Sequence, residues 1–353
     1  MADIASARAR FGDHAAVLVE TTQLRRKAFA KFADPSGWLF TDEALQQATA
    51  ERVAEHRARR LAGLSVHDAT CSIGTELAAL RDSSPLLGSD VDPVRLAMAR
   101  HNVPEAVLCR ADALAPVTRN TVVLADPARR IRGRRRFDPR DYTPALDALL
   151  DTYRGRDLVV KCAPGIAFDE LSRMGFEGEI EVTSLTGSVR EACLWSQGLA
   201  GGGVTRRATM LDTGEEVTDA EPDDSQVAPA GRWIVDPDGA VVRTGLVRHY
   251  AARHGLWQLD PDIAYLSGDR LPDGVRGFEV LEELSYSERR LRQALSARDV
   301  GAVEILVRGV DVDPDALRSR MRLRGSQQVS VVIARIGSGR ASRATAFICR
   351  PTY

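Results

Sequence analysis

A run of β-branched and apolar residues, Thr121 to Ala125, stops abruptly at Asp126-Pro127. Six arginines follow within eight positions: Arg129, Arg130, Arg132, Arg134, Arg135 and Arg136. An acid at the end of a buried strand is where α/β enzymes keep their chemistry. A dense arginine run is what a phosphate backbone attracts. Side by side they imply an enzyme acting on a nucleic acid, with Asp126 and Pro127 at the reacting end and the arginines as substrate contacts. The formal net charge of the 353 residues is −1, so the positive charge is local rather than general.

Three more acids stand at comparable places. The segment VHDATCSIGTE (66–76) reads as a strand ending in Asp68, followed by a turn and a helix that Gly74 opens. The next apolar run ends in Asp90, and the third near Ala111-Asp112-Ala113. Four acids at four successive strand ends suit a nucleoside-bearing ligand. A glycine lets the backbone approach it closely, and an acid after the second strand accepts hydrogen bonds from two ribose hydroxyls. Another acid can take an adenine amino group. Taken singly, each aspartate reads as well as a helix cap. The GxGxxG and P-loop lysine patterns are absent, which argues against a dinucleotide or a triphosphate.

The elements that must position these residues follow from periodicity. Residues 1–60 read as helices: Thr41-Asp42-Glu43 starts one, and Ala44 to Leu61 continues at helical spacing without Gly or Pro. Over 61–203, the runs LSVHD, PLLGSD, AVLC, TVVLAD, DLVVKC, IEVTS and EACLWS alternate with helical segments such as PVRLAMARHN. That predicts an α/β fold, a parallel sheet with helices on both faces and an antiparallel last strand. Residues 204–277 read as a β-rich connection, with a turn at Pro237-Asp238-Gly239 between two short strands and a helix near 244–254. Residues 278–353 read as β-α-β-α-β-β, a small α+β module. Hydrophobic content of 44% supports real cores. The five cysteines show no CxxC spacing, which argues against a disulfide scaffold or a structural zinc site. No metal is expected. The opening segment lacks a signal-peptide pattern and no stretch has 18 consecutive apolar residues, so a cytoplasmic location and no membrane partner are expected.

The order and spacing of these strand-end acids resemble the class I S-adenosylmethionine-dependent methyltransferases, whose sheet is Rossmann-like. Their first loop reads D-x-G-x-G-x-G; here Thr70 and Ser72 replace two of the glycines. The resemblance implies S-adenosylmethionine as cofactor. Asp68 and Gly74 would face its methionine moiety, Asp90 the ribose and Asp112 the adenine, with Thr70, Glu76, Val91 and Ala113 completing the set. A narrower likeness rests on RKAFAKFADPSGWLFTDEALQQAT, ADPARR, VVKCAPGI, EACLWSQGL, GLWQLDPDIAYLSGD and VRGVDVDPDALRSRMRLRG. Together they resemble actinobacterial methyltransferases with a C-terminal THUMP-like domain. THUMP domains are RNA-binding modules, so this likeness implies an RNA partner.

In amino-methylating members the fourth strand ends in [D/N/S]-P-P-[aromatic]; here it reads Asp126-Pro127-Ala128-Arg129. The acid and first proline would bind the target amine, while Arg129 could stack on a base or contact a phosphate. Asp-Pro-x-Arg is also similar to the D-P-P-R motif of uracil-5 RNA methyltransferases, in which case Cys162 of Cys162-Ala163-Pro164 would be the nucleophile. Cys162 reads equally as a small apolar residue closing a buried strand. Lys161 could contact substrate phosphate or snorkel from a strand end. Two further basic sets, Arg25, Arg26, Lys27 and Lys31, and Arg318, Arg320, Arg322 and Arg324, could continue an RNA track. A non-catalytic RNA-binding protein with a degenerate pocket, and a small-molecule methyltransferase with an anionic substrate, remain open alternatives.

Overall fold

Strand register brings the acids together. In the structure, a computed structural model, β1 (Val66–Asp68) pairs in parallel with β2 (Leu86–Asp90) on one side and β4 (Val122–Ala125) on the other. β3 (Val107–Arg110) continues beyond β2, and β7 (Leu158–Cys162) beyond β4. Asp68, Asp90 and Asp126 therefore emerge along one edge, at the carboxyl ends of adjacent strands. The structure describes residues 8–81, 85–128, 130–131, 134–135, 138–337 and 339–352, and only the backbone of 130–131, 134–135 and 340.

The chain divides into two compact units, residues 1–215 and 216–353. The first carries eight strands in the order β10-β8-β9-β7-β4-β1-β2-β3, with β8 (Gly178–Leu185), β9 (Ser188–Ser196) and β10 (Arg206–Met210), while β11 (Glu215–Thr218) falls at the division. β9 runs antiparallel to both β7 and β8. The α/β reading with an antiparallel strand among the last is thus observed, and β10 adds to the sheet. β5 (Arg130–Ile131) and β6 (Arg134–Arg135) form a separate small hairpin. Leu61, Val66, Leu77, Leu124, Val159 and Trp195 belong to the main core.

The N-terminal helices belong to this same unit. α1 (Ala15–Ala28) and α2 (Asp42–Gln47) contribute Leu24, Ala28, Ala44 and Leu45 to a cluster with Phe32, Phe40 and Ile73, the last from the turn after β1. Thr41 caps α2 by accepting from the Ala44 amide at 3.1 Å. The single helix expected over 42–61 is broken into α2 and α3 (Glu51–Arg60), although no Gly or Pro intervenes. Tertiary contacts set the break. The Lys31 ammonium donates to the carbonyls of Leu45 and Gln46 at 2.9 Å and of Ala48 at 2.7 Å, satisfying acceptors that a helix end leaves open. The remaining helices of this unit are α4 (Thr75–Ala79), α5 (Pro93–Asn102), α6 (Leu146–Thr152) and α7 (Phe168–Arg173).

The second unit is a seven-stranded sheet of order β13-β14-β12-β15-β18-β17-β16. Its strands are β12 (Trp233–Val235), β13 (Trp257–Asp260), β14 (Ile263–Gly268), β15 (Gly277–Ser285), β16 (Val300–Arg308), β17 (Gln327–Ile336) and β18 (Arg343–Pro351). The segment expected as a connection is thus divided: β10 extends the first sheet, and β12 to β14 join the second. The strand expected after Pro237-Asp238-Gly239 is a helix, α8 (Gly239–Thr244), because Asp238 caps it by accepting from the Ala240 amide at 2.7 Å. α9 (Val247–His254), α10 (Glu288–Ala297) and α11 (Pro314–Met321) follow. Alternation along β17 covers both faces: Val331 and Ile333 pack in a cluster with Leu291, Leu295 and Leu317, whereas Val332 packs in one with Phe278 and Phe347. No helix among the described residues is long and apolar enough to cross a membrane.

Leu124 sits mid-sheet, one residue before the strand end that carries Asp126. Leu124→Ala is expected to cost about 2–5 kcal/mol of stability, the range for a buried large-to-small change, measured by chemical denaturation of the full chain.

Candidate active site

The sheet order reverses between β1 and β4, and such a reversal opens a crevice at the carboxyl ends of the strands. A cleft of about 520 Å³ lies there. Asp68, Thr70, Glu76, Asp90, Val91, Asp112 and Ala113 line it, together with Asp126, Pro127 and Lys161. Gln46, Gln47 and Ala48, at and after the end of α2, add a wall that the sequence reading did not foresee. A second cleft of about 690 Å³ shares Gln46, Gln47, Ala48 and Lys161 with the first.

Gly74 is not among the lining residues, and its role differs from the one expected. Its φ of +90° is left-handed, and an added Cβ would lie 3.0 Å from Val103 Cγ2 and 3.6 Å from Ala99 Cβ. It serves the turn and the packing of α4 against α5, not approach to a ligand. The two replaced glycines keep specific jobs. Ser72 holds a left-handed φ of +49°, and its amide donates to Asp90 Oδ2 at 2.9 Å. Thr70 donates its amide to Asp68 Oδ1 at 3.1 Å, and its hydroxyl accepts from the Asp126 amide at 2.6 Å. The side chain at position 70 thus ties the first loop to the fourth strand end. Asp112 is exposed and caps its own turn through the Leu114 amide.

From behind the cleft into its wall runs a chain of charges of alternating sign: Glu191, Arg57, Glu76, Lys161 and Asp126. The first four are each 5% exposed or less. Arg57 donates Nε to Glu76 Oε2 at 3.1 Å and Nη2 to Oε1 at 3.0 Å, and its Nη1 pairs with Glu191. Lys161 Nζ donates to Glu76 Oε1 at 2.9 Å, to Asp126 Oδ2 at 2.6 Å and to the Thr49 hydroxyl. Burial alone would raise the Glu76 carboxyl, but the charges of Arg57 and Lys161 outweigh it and hold the group well below the usual carboxylate range. Burial disfavours the Lys161 ammonium, yet Asp126 and Glu76 push it above the usual lysine value. At Asp68 the balance goes the other way: burial first, then the Glu76 charge, raise it well above an ordinary aspartate, and the Thr70 amide and the Lys161 charge offset this only in part.

Lys161 therefore neither snorkels nor reaches outward to a phosphate; its ammonium is committed to two carboxylates and a hydroxyl. Cys162, its neighbour, is fully buried and is not among the residues lining the cleft. Arg129, Arg132 and Arg136 lie outside the described residues, as do the side chains of Arg130, Arg134 and Arg135. Of the other basic sets, Lys27 pairs with Asp42, Arg25 donates to the Trp38 carbonyl, Arg318 pairs with Asp315 and Arg320 with Glu288. Arg57 and Thr49 carried no signal in the sequence, because an arginine on a helix and a threonine beside one read as surface.

A family model described as THUMP domain-like matches residues 275–351. Two uncharacterised S-adenosylmethionine-dependent methyltransferases of Mycobacterium tuberculosis, from strains CDC 1551 and H37Rv, are each 69% identical to this chain. The match covers 98% of the chain and 99% of theirs. The chain belongs to the S-adenosylmethionine-dependent methyltransferases. Its cofactor is S-adenosylmethionine, and a THUMP-like domain forms its C-terminal part. A crystal structure of a chain from Porphyromonas gingivalis W83, assigned to the methyltransferases, shares the fold with a TM-score of 0.77 at 17% identity. That match covers 97% of this chain and 91% of the other.

The methyltransferase cleft suits that cofactor chemically. Asp68, Asp90 and Asp126 offer carboxylates to a ligand that carries an ammonium and a sulfonium. Val91 and Leu114 are exposed apolar residues on its walls, fit for a purine face. The charge chain also makes an acid-side prediction. A carboxyl whose pKa is lower folded than unfolded stabilises the protein at neutral pH, and that contribution drains away as the pH falls below ~4.3. Glu76→Gln should cost about 3–5 kcal/mol at neutral pH, as a broken buried pair does. In urea denaturation across a pH series, the gap from the unaltered protein should narrow below that value.

Proposed function

We propose that this enzyme methylates a nitrogen on a base in RNA. The observation that carries the reading is the Asp126-Pro127 strand end, held inside the cofactor cleft with Asp126 Oδ1 free of any partner among the described residues. S-adenosylmethionine, when bound, supplies a methyl group already activated on a cationic sulfur, whose C–S electron pair stays with the sulfur. The extra proton of the methylated amine would pass to water, and the protein's task is then to orient the acceptor. Asp126 would accept a hydrogen bond from an exocyclic amine, fixing the nitrogen lone pair, with Pro127 stiffening the turn. Asp68 and Thr70 would face the methionine moiety, Asp90 the ribose, and Asp112 with Val91 and Ala113 the adenine. Glu76 acts from behind this set rather than on the ligand.

The fully buried Cys162 favours nitrogen over a pyrimidine carbon, since a thiolate nucleophile must reach its target. RNA as the acceptor is supported by the THUMP-like match and by the arginine run after Asp126, both consistent with phosphate contacts. The five cysteines are free, which agrees with the reducing cytoplasm.

Methyl-label transfer to total RNA from a deletion strain, followed by nucleoside analysis, should yield an amino-methylated base, and Asp126→Ala should lower the rate at least ~10²-fold. Asp90→Ala should weaken S-adenosylmethionine binding by about tenfold or more in calorimetry, the loss of roughly one charged hydrogen bond. Cofactor binding without transfer to any RNA would favour a small-molecule acceptor. Absence of cofactor binding would favour the non-catalytic alternative.

A further inference from the structure

The cation that holds Asp126 has a use beyond stability. Asp126 is fixed at two points: its amide donates to the Thr70 hydroxyl at 2.6 Å, and its Oδ2 accepts from Lys161 Nζ at 2.6 Å. Lys161 is fixed in turn by Glu76, which Arg57 grips through two nitrogens. Its third partner is the hydroxyl of Thr49, in the break between α2 and α3. All three donors of the ammonium are used, and none is left for a ligand. Yet Lys161 lies at the base of the cleft, and the side chain it holds is the one member of the chain that opens appreciably to the lumen, at 25% exposure.

We propose that Lys161 is a positioning residue that pins Asp126 as a fixed anionic hydrogen-bond acceptor at the methyl-acceptor end of the cleft. The inference rests on the reading of Asp126 given above and assigns the lysine its part in it. A pinned anion can orient an amine and face a cationic sulfonium, but it does not exchange a proton during the cycle. Among the described residues, the ionisable groups about Asp126 are Lys161 from β7, Asp68 at the end of β1, and Glu76 from α4, which shares Lys161 with it. Two of these are acids. Without the lysine charge, Asp126 and Glu76 would face each other across an apolar stem, and neighbouring carboxylates share a proton. Binding of the cationic cofactor would then expel that proton.

Proton counting tests this without knowledge of the methyl acceptor. S-adenosylmethionine is titrated calorimetrically into the full-length protein at neutral pH, in buffers of different ionisation enthalpy. Asp68 responds to the charges of both Lys161 and Asp126, so every protein compared, the reference included, carries Asp68→Asn and its proton stays out of the count. Asp126→Asn is expected to exchange the same number of protons as the reference. Lys161→Met is expected to release an additional fraction of a proton, and Lys161→Met with Asp126→Asn to lose that excess. A changed count in Asp126→Asn alone means that Asp126 titrates in the native enzyme, and overturns the proposal even should Lys161→Met fail to fold. A folded Lys161→Met with an unaltered count overturns it as well. A merely structural lysine would alter melting but not the count. Failure of RNA methylation with cofactor binding intact leaves this test standing, so the two readings fail separately.

Discussion

The site depends on one constraint: Asp126, at the end of β4, must be held still where the cleft meets a buried interior. Burying charges is costly unless each is paired and hydrogen-bonded. The chain Glu191, Arg57, Glu76, Lys161 and Asp126 satisfies that by alternating sign over five groups drawn from β9, α3, α4, β7 and the end of β4. Removing any interior member leaves two like charges facing one another, so the network enforces the mutual placement of these elements. A second network works further from the cleft. Glu179 and Glu181, both almost fully buried, bind Arg60, Arg207, His56 and Trp195 and join α3 to β8, β9 and β10.

The first loop shows how a departure from a glycine-rich pattern can be accommodated. Ser72 keeps the left-handed backbone that a glycine would adopt freely, at a cost of the order of 1 kcal/mol. The backbone amide there is then held by Asp90, which holds the Asp92 amide through its other oxygen. Thr70 gains a hydroxyl where glycine has none and spends it on the Asp126 amide. The loop is less permissive but more tightly tied, and the tie runs from the cofactor side of the cleft to the acceptor side. Loss of glycines is therefore compatible with a formed pocket.

The ends of β1, β2 and β4 were legible in the sequence because each run arrives at an aspartate, and parallel register then places those ends side by side. α5 was legible to the residue, since Asp92 and Pro93 form a cap and first turn that fix where the helix starts. α8 was misread because Val241 and Val242 suggested a strand, while the cap at Asp238 and the left-handed Gly245 after Thr244 carried the correct signal. The break at Ala48 to Ala50 had no local signal. It is imposed by Lys31 from the preceding segment and by Lys161, more than a hundred positions later. Contacts of that kind are invisible to periodicity, and so was the chemistry they create.

That break also decides what the N-terminal helices are for. Had α2 and α3 continued as one helix, Thr49 would have pointed its hydroxyl into the helical surface pattern and Lys161 would have lacked its third acceptor. Broken, the segment places Gln46, Gln47 and Ala48 on the cofactor cleft and Thr49 on the lysine beneath it. Phe32, Phe40, Ala44 and Leu45 meanwhile clamp Ile73 of the first loop. The same short stretch thus braces the loop on the cofactor side and the cation that holds Asp126. One short stretch thus lines the cleft and braces the strand ends on which it is built.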